Sequence, residues 1–282
     1  MSTTFKAACV QTNTGPDPDE GMRIVADGIR RARDAGADFI TTPENVLMIE
    51  SRRAAVLGKA EEEAAHRGLQ AFRELARETG AWLLAGSLTV KVEPERVANR
   101  SVLFDPQGEV VASYDKMHMF DVDLADGESY RESRTYRPGE AAVMAALPWC
   151  ELGMTVCYDM RFPYLYRDLA HAGAKMLTVP SAFTRPTGRA HWHVLLRARA
   201  IETGCFVVAA AQCGEHAGGR KTYGHSVIID PWGEVLADGG EEPGFIVADI
   251  DLARVDEARR MIPSLQHDRR YAPVPVRARA AE

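Results

Sequence analysis

The sequence predicts an α/β fold, arranged as a four-layer α-β-β-α sandwich. Two observations carry this. Short apolar runs alternate with longer amphipathic stretches, and one hairpin block occurs twice. Alternating strand and helix means helices covering a sheet. A doubled block means two similar halves, whose sheets can pack face to face between helix layers.

The first run, FKAACVQ, is a strand, and the amphipathic stretch near Asp19 to Ala35 is a helix. DFITTPE is the next strand, a second helix is expected near Gly58 to Glu78, and AWLLAGSLTV is a third strand. From Val97 the rhythm changes. SVLFDPQGEVVASY, Ser101 to Tyr114, reads as two strands joined by a Pro-x-Gly turn, because proline presets one turn residue and glycine accepts positive φ. The pattern returns as SVIIDPWGEVLADG, Ser226 to Gly239, after another block of alternation. Within that block Pro163 suits the first turn of a helix running to about Ala172.

A length of 282 residues fits one large domain or two ordinary ones. The halves lack a Gly/Ser/Pro-rich linker, and the segment from Asp121 to Gly139 is too mixed to serve as one. One domain over residues 1–270 is therefore expected. The Pro- and Ala-rich end, residues 271–282, is expected to be an extended tail.

Composition excludes several classes of function. With 46% hydrophobic and 26% charged residues the chain is globular, and its net charge of −6 comes without the basic stripe that nucleic acid requires. No segment has the roughly 20 apolar residues of a membrane span, and no leader is evident, so a cytoplasmic location is expected. The five cysteines, Cys9, Cys150, Cys157, Cys205 and Cys213, are odd in number and irregularly spaced, which argues for reduced thiols. No metal site is expected, since His191 and His193 lie two apart in a helix and face different directions.

Catalytic groups of α/β sheets collect past the carboxyl ends of strands. Three residues stand there: Glu44 after DFITT, Lys116 after VVASYD and Cys157 after LGMTV. Singly each has an ordinary explanation, as surface acid, solvated lysine or packed core thiol. Together they fit one mechanism. A cysteine nucleophile with a free pKa near 8.5 needs a base and a cation, and Glu44 and Lys116 are those types. The start of the helix at Pro163 is expected to favour a thiolate at Cys157. Cys213 is a rival thiol, but it follows an apolar strand without an adjacent helix start, so a structural or cleft-lining role is expected.

The blocks TTPEN, YDKMHMFDVD and GMTVCYDMRFP, in this order, resemble the Glu-Lys-Cys motifs of the nitrilase superfamily of carbon-nitrogen hydrolases. The resemblance runs from about Phe5 to Arg270. It is closest to the branch of deaminated glutathione amidase and omega-amidase, above all to the former in AHWHVLLRARAIE and AAAQCG. It implies the same sandwich fold, assembly as a homodimer or larger homo-oligomer, and amide hydrolysis through a cysteine thioester without metal or organic cofactor. It also implies Glu132 as a second glutamate that positions lysine or substrate. Lys116 and the backbone N–H of Tyr158 become the oxyanion donors, and Arg161 and Thr187 the binders of a substrate carboxylate. Arg161 has an alternative, an ion pair with Asp159 or Asp168. His191, Trp192 and His225 are expected to line or support the pocket. The partner is then a small-molecule amide. N-carbamoyl amide hydrolase, nitrilase and a non-catalytic binding module on the same fold are the competing functions.

Overall fold

The computed structural model describes residues 3–124 and 129–272. Strand β1 (Thr4–Gln11) leads through α1 (Pro18–Asp34) to β2 (Phe39–Thr41). Helix α1 starts where the Asp17 side chain accepts the Asp19 N–H, with Pro18 in its first turn. Next come α2 (Arg53–Lys59), β3 (Glu61–Glu62), α3 (Arg67–Thr79) and β4 (Trp82–Glu93). The antiparallel hairpin β5 (Arg96–Phe104) and β6 (Val110–Asp115) closes the first half. A two-stranded ribbon follows, β7 (Asp121–Asp123) with β8 (Ser129–Arg131).

The second half repeats this plan. It runs β9 (Val143–Ala146), β10 (Glu151–Met154), α4 (Pro163–His171), β11 (Met176–Thr178), α5 (Arg185–Thr203) and β12 (Phe206–Ala209). A second ribbon, β13 (Cys213–Glu215) with β14 (Lys221–Tyr223), precedes the hairpin β15 (Val227–Ile229) and β16 (Val235–Asp238). The chain then returns as β17 (Gly244–Asp251) to pair antiparallel with β1, and α6 (Ala253–Met261) follows.

The sheets have the orders β17-β1-β2-β4-β5-β6, with β3 beside β4, and β9-β10-β11-β12-β15-β16. In the first, β1, β2 and β4 run parallel with short β3 parallel beside β4, and in the second β10, β11 and β12 run parallel, each set flanked by antiparallel strands. Side-chain alternation then builds the layers. Phe5, Ala7, Cys9, Phe39, Leu84 and Leu103 pack with the second sheet, while Ala8, Val10, Ile40, Leu83 and Phe104 pack beneath α1 and α3. The result is the expected four-layer sandwich, with sheet against sheet at its centre.

The hairpin repeat extends to atomic detail. Asp105 Oδ1 accepts the N–H groups of Gln107 and Glu109, and Asp230 Oδ1 accepts those of Trp232 and Glu234. One expectation is corrected. The helix from Gly58 to Glu78 is broken: α2 ends at Lys59, β3 pairs with β4 at Val90 and Lys91, and α3 starts only at Arg67. His66 caps that start, its Nδ1 accepting the Leu69 N–H. Among the described residues no helix is long and apolar enough to cross a membrane. Of the expected tail, residues 273–282 lie outside the described residues.

Candidate active site

The two loops that carry Glu44 and Cys157 meet at the edge between the halves, and both are strained. Asn45, next to Glu44, has φ +53°, and Cys157 has φ +50°. A positive φ costs a residue with a Cβ roughly 1–3 kcal/mol, so it persists only where the surroundings impose it. The surroundings are hydrogen bonds. Cys157 N–H donates to Pro180 O, Ala182 N–H donates to Glu44 Oε2 at 2.9 Å, and Asn45 N–H donates to Ser87 Oγ. The segment after β11 thus holds nucleophile and carboxylate together.

Lys116 follows β6 and is almost fully buried, at 2% exposure. Its Nζ donates to Glu44 Oε1 at 2.9 Å and to both carboxylate oxygens of Glu132, at 3.0 and 2.8 Å. Glu132 is fixed further by the Phe120 N–H at 2.7 Å. Asn99, on β5, bridges the carboxylates: its Nδ2 lies 2.9 Å from Glu44 Oε1 and 3.2 Å from Glu132 Oε1. Sequence reasoning missed Asn99. The available signal was an amide side chain within the apolar strand RVANRSVLF.

Burial works to raise the Glu44 pKa, but the Lys116 charge and hydrogen bonds from the Cys157 thiol and Lys116 hold it below the usual carboxylate value. Burial works to lower that of Lys116, and the charges of Glu132, Glu44 and Cys157 raise it well above an ordinary lysine. Glu44 is therefore ionised and Lys116 charged at neutral pH. Cys157 differs from the expectation of a resting thiolate. Burial first, then the Glu44 charge and the hydrogen bond to it, push the thiol well above a free cysteine, against the opposing pull of Lys116. The arrangement is a neutral thiol and an ionised carboxylate lining one cleft, which is a nucleophile beside its base.

These residues floor a cleft of about 420 Å³, a size usual for small-molecule sites. Tyr158, Phe183, Thr187, Phe120, Tyr130 and Arg220 line it with them. Arg220, in the tight loop before β14, was also missed: its only signal was an arginine ending the glycine pair AGGR. Its charge helps to hold the Glu44 pKa down. With Lys116 it balances the two carboxylates, Glu44 and Glu132.

Other expected site residues sit further out. Arg161 is not part of the cleft lining. Its guanidinium lies 5.3 Å from the Phe183 ring centre and 5.9 Å from that of Tyr158, and its Nη2 is 3.2 Å from His191 Nδ1. It does not pair with Asp159, which accepts from Val156 N–H, His118 N–H and the Tyr114 hydroxyl and lies 2.7 Å from His118 Nδ1. Trp192 packs on Phe183 and donates its indole N–H to His225 O, so it supports the wall rather than forming it. His225 and His193 both bond Asp238, and their three ligand atoms lie within 4.8 Å of one another. That grouping was invisible to sequence spacing, because three separate elements supply it. Cys213 is buried outside the cleft lining, its thiol pushed up to about 12 by burial and the Glu242 charge.

Comparison with known proteins shows the family. Residues 6–260 match the family model of carbon-nitrogen hydrolases. The chain is 40% identical to a deaminated glutathione amidase of Yersinia enterocolitica over 265 residues, covering 93% of this chain and 92% of that one. It superposes on the NitFhit protein of C. elegans with a TM-score of 0.88 and 36% identity, covering 94% of this chain and 65% of that protein. A structure of the Nesterenkonia sp. AN1 amidase, with acrylamide added to its active-site cysteine, matches at a TM-score of 0.78 and 29% identity over 92% of this chain and 98% of its own. A sandwich built from two like halves, a buried cysteine sharing its cleft with a glutamate–lysine ion pair, and above all the match along 6–260 and the 40% identity show that this chain belongs to the carbon-nitrogen hydrolase family.

Proposed function

We propose that the chain is an amidase that cleaves the amide of a small carboxylate-bearing substrate, with deaminated glutathione as that substrate and a Cys157 thioester as intermediate. One observation carries this reading: buried, ionised Glu44 holds the Lys116 ammonium at 2.9 Å and lines one cleft with Cys157, whose thiol feels its charge. The 40% identity to deaminated glutathione amidase supports the substrate.

Glu44 takes the thiol proton as Sγ attacks the amide carbonyl carbon. The oxyanion that forms is met by the Lys116 ammonium and the Tyr158 backbone N–H, donors worth roughly 3–4 kcal/mol each when preorganised. Glu44 returns the proton to the departing nitrogen, the C–N bond breaks, and a thioester remains. The same carboxylate then deprotonates water, which attacks the thioester and releases acid and thiol. Glu132 positions the lysine throughout, and Asn99 keeps the two carboxylates in register.

Deaminated glutathione is a 2-oxoglutaryl amide of cysteinylglycine. We assign its 2-oxo-acid carboxylate to Thr187, which lines the cleft, with the Arg161 charge behind the Tyr158 and Phe183 rings favouring an anion on that side. The five cysteines are all free, which supports a reducing, cytoplasmic setting. Exposed Tyr164 and Ile201, and Val194 at 67% exposure, on the outer helices support self-association, and a monomer mass in sedimentation equilibrium would overturn it.

The test is Cys157→Ala. Purified wild type should convert 2-oxoglutaryl-cysteinylglycine to 2-oxoglutarate and cysteinylglycine, while the variant should fall below detection with its fold intact by circular dichroism. Retained turnover in the variant would remove Cys157 from the mechanism.

A further inference from the structure

We infer that Arg220 forms a second anionic subsite, on the leaving-group side of the cleft, which takes the terminal carboxylate of a peptide-like amine. The inference rests on the amidase reading above and deepens it by naming what departs.

The cleft has three arginines in its lining, and two are committed elsewhere. Arg53 donates to Arg134 O and to Glu95, and Arg131 donates to Val122 O, Tyr130 O and both oxygens of Asp123. Arg220 makes no ion pair with a described residue, its charge reaching Glu44 only at longer range. Its Nη2 donates to Ala182 O, its guanidinium lies 5.4 Å from the Tyr130 ring centre, and its Nε is buried with no hydrogen-bond partner. A cleft-lining guanidinium held by a backbone carbonyl and an aromatic face keeps donors for the fork of an incoming carboxylate.

The loop presents this arginine rigidly. Arg220 O accepts the His216 N–H, Gly218 and Gly219 turn the chain at φ +85°, and the buried His216 ring is anchored on Thr14 O and Thr222 Oγ1. Burial lowers the His216 pKa to about 4, so the anchor stays neutral at physiological pH.

Position settles which end of the substrate Arg220 meets. Glu44 hands the proton to the departing nitrogen, so the leaving group lies on the Glu44 side. Ala182 joins that side to Arg220: its N–H donates to Glu44 Oε2, and its carbonyl accepts from Arg220 Nη2. One residue and two hydrogen bonds therefore separate the carboxylate from the guanidinium. A departing dipeptide spans about 7 Å from its amide nitrogen to its terminal carboxylate, a matching reach. Arg161 lies instead outside the cleft lining, behind Tyr158 and Phe183.

The experiment compares two substrates on two proteins. The substrates are 2-oxoglutaryl-cysteinylglycine and the same molecule with its glycine carboxylate converted to the amide. The proteins are wild type and Arg220→Gln, with Arg220→Lys as the variant that keeps the charge. Wild type should prefer the free acid by about 10- to 100-fold in kcat/KM, the usual worth of a hydrogen bond to a charged group. The preference should collapse to near one in Arg220→Gln and recover partly in Arg220→Lys. A wild-type ratio near one, or a preference that persists in Arg220→Gln, overturns the subsite alone. Absence of turnover of both substrates by wild type overturns the amidase reading and the subsite with it.

Discussion

Because burial and the Glu44 charge keep the proton on Cys157, the nucleophile arises by transfer to Glu44 rather than by ionisation to water. The pH dependence follows from the directions of the shifts. Glu44 must be ionised, and its pKa lies below the ordinary value; Lys116 must be charged, and its pKa lies well above the ordinary value. kcat/KM for an uncharged amide should therefore be flat between about pH 5 and 9, with limbs outside the reference values of about 4.3 and 10.4. A rate that climbs through about pH 8.5, as free thiols ionise, would show that the thiolate forms without Glu44. Stability moves with the same groups. The Glu44 contribution is present above the unfolded carboxylate pKa and is lost as pH falls through the folded one. The Lys116 contribution is present below the unfolded lysine pKa and is lost as pH rises through the raised one. At this scale the sequence was legible for Glu44, Lys116 and Cys157, because strand ends are visible as changes from apolar to polar residues. Asn99 and Arg220 were not, because their partners lie 55 and 38 residues away along the chain.

At the scale of elements, what sequence showed and what it hid divide along local and distant causes. The two hairpins were legible because the Asp-Pro-x-Gly turn is bonded within itself, through Asp105 and Asp230. The break before α3 was not, since AEEEAA in AEEEAAHRGL consists of strong helix formers. It is imposed by β3 pairing with the β4 edge and by Glu61, which accepts the Arg67 N–H and side chain. Strand β4 also sets the position of Glu44. A Cβ added at Gly86 would lie 1.8 Å from Thr42 O and 2.6 Å from Pro43 O, so β4 runs directly beneath the loop carrying the carboxylate. The Gly86 N–H also donates to Thr42 Oγ1. Gly86→Ala should therefore cost about 1–3 kcal/mol in urea unfolding, as overpacking does. It should also lower kcat at least about 10-fold by displacing Glu44. Unchanged kcat in the folded variant would show that the carboxylate is positioned without β4.

The whole molecule places its chemistry where its two halves meet. Glu44 and Lys116 come from the first half and Cys157 from the second, so neither half holds a site alone. The repeat made the four layers predictable, but it could not show which side chains lock the halves together. Buried Gln212 is the chief of these. Its Oε1 accepts from Thr12 Oγ1 and Thr14 N–H, and its Nε2 donates to Thr14 Oγ1 and to the backbone carbonyl of Glu44 at 3.1 Å. One second-half side chain thus ties down both the β1 exit and the residue that serves as base. Gln212→Leu keeps most of the volume but leaves these buried groups without partners, each at about 1–3 kcal/mol. The variant should lose about 3 kcal/mol or more of unfolding free energy. Because the lost bonds include one to Glu44 itself, kcat per folded molecule should fall as well, by about 10-fold or more. Melting and turnover measured on the same preparation separate the two effects. A variant that melts early yet turns over at the wild-type rate when folded would mean that the interface serves stability alone, with Glu44 held sufficiently by Ala182 and Lys116.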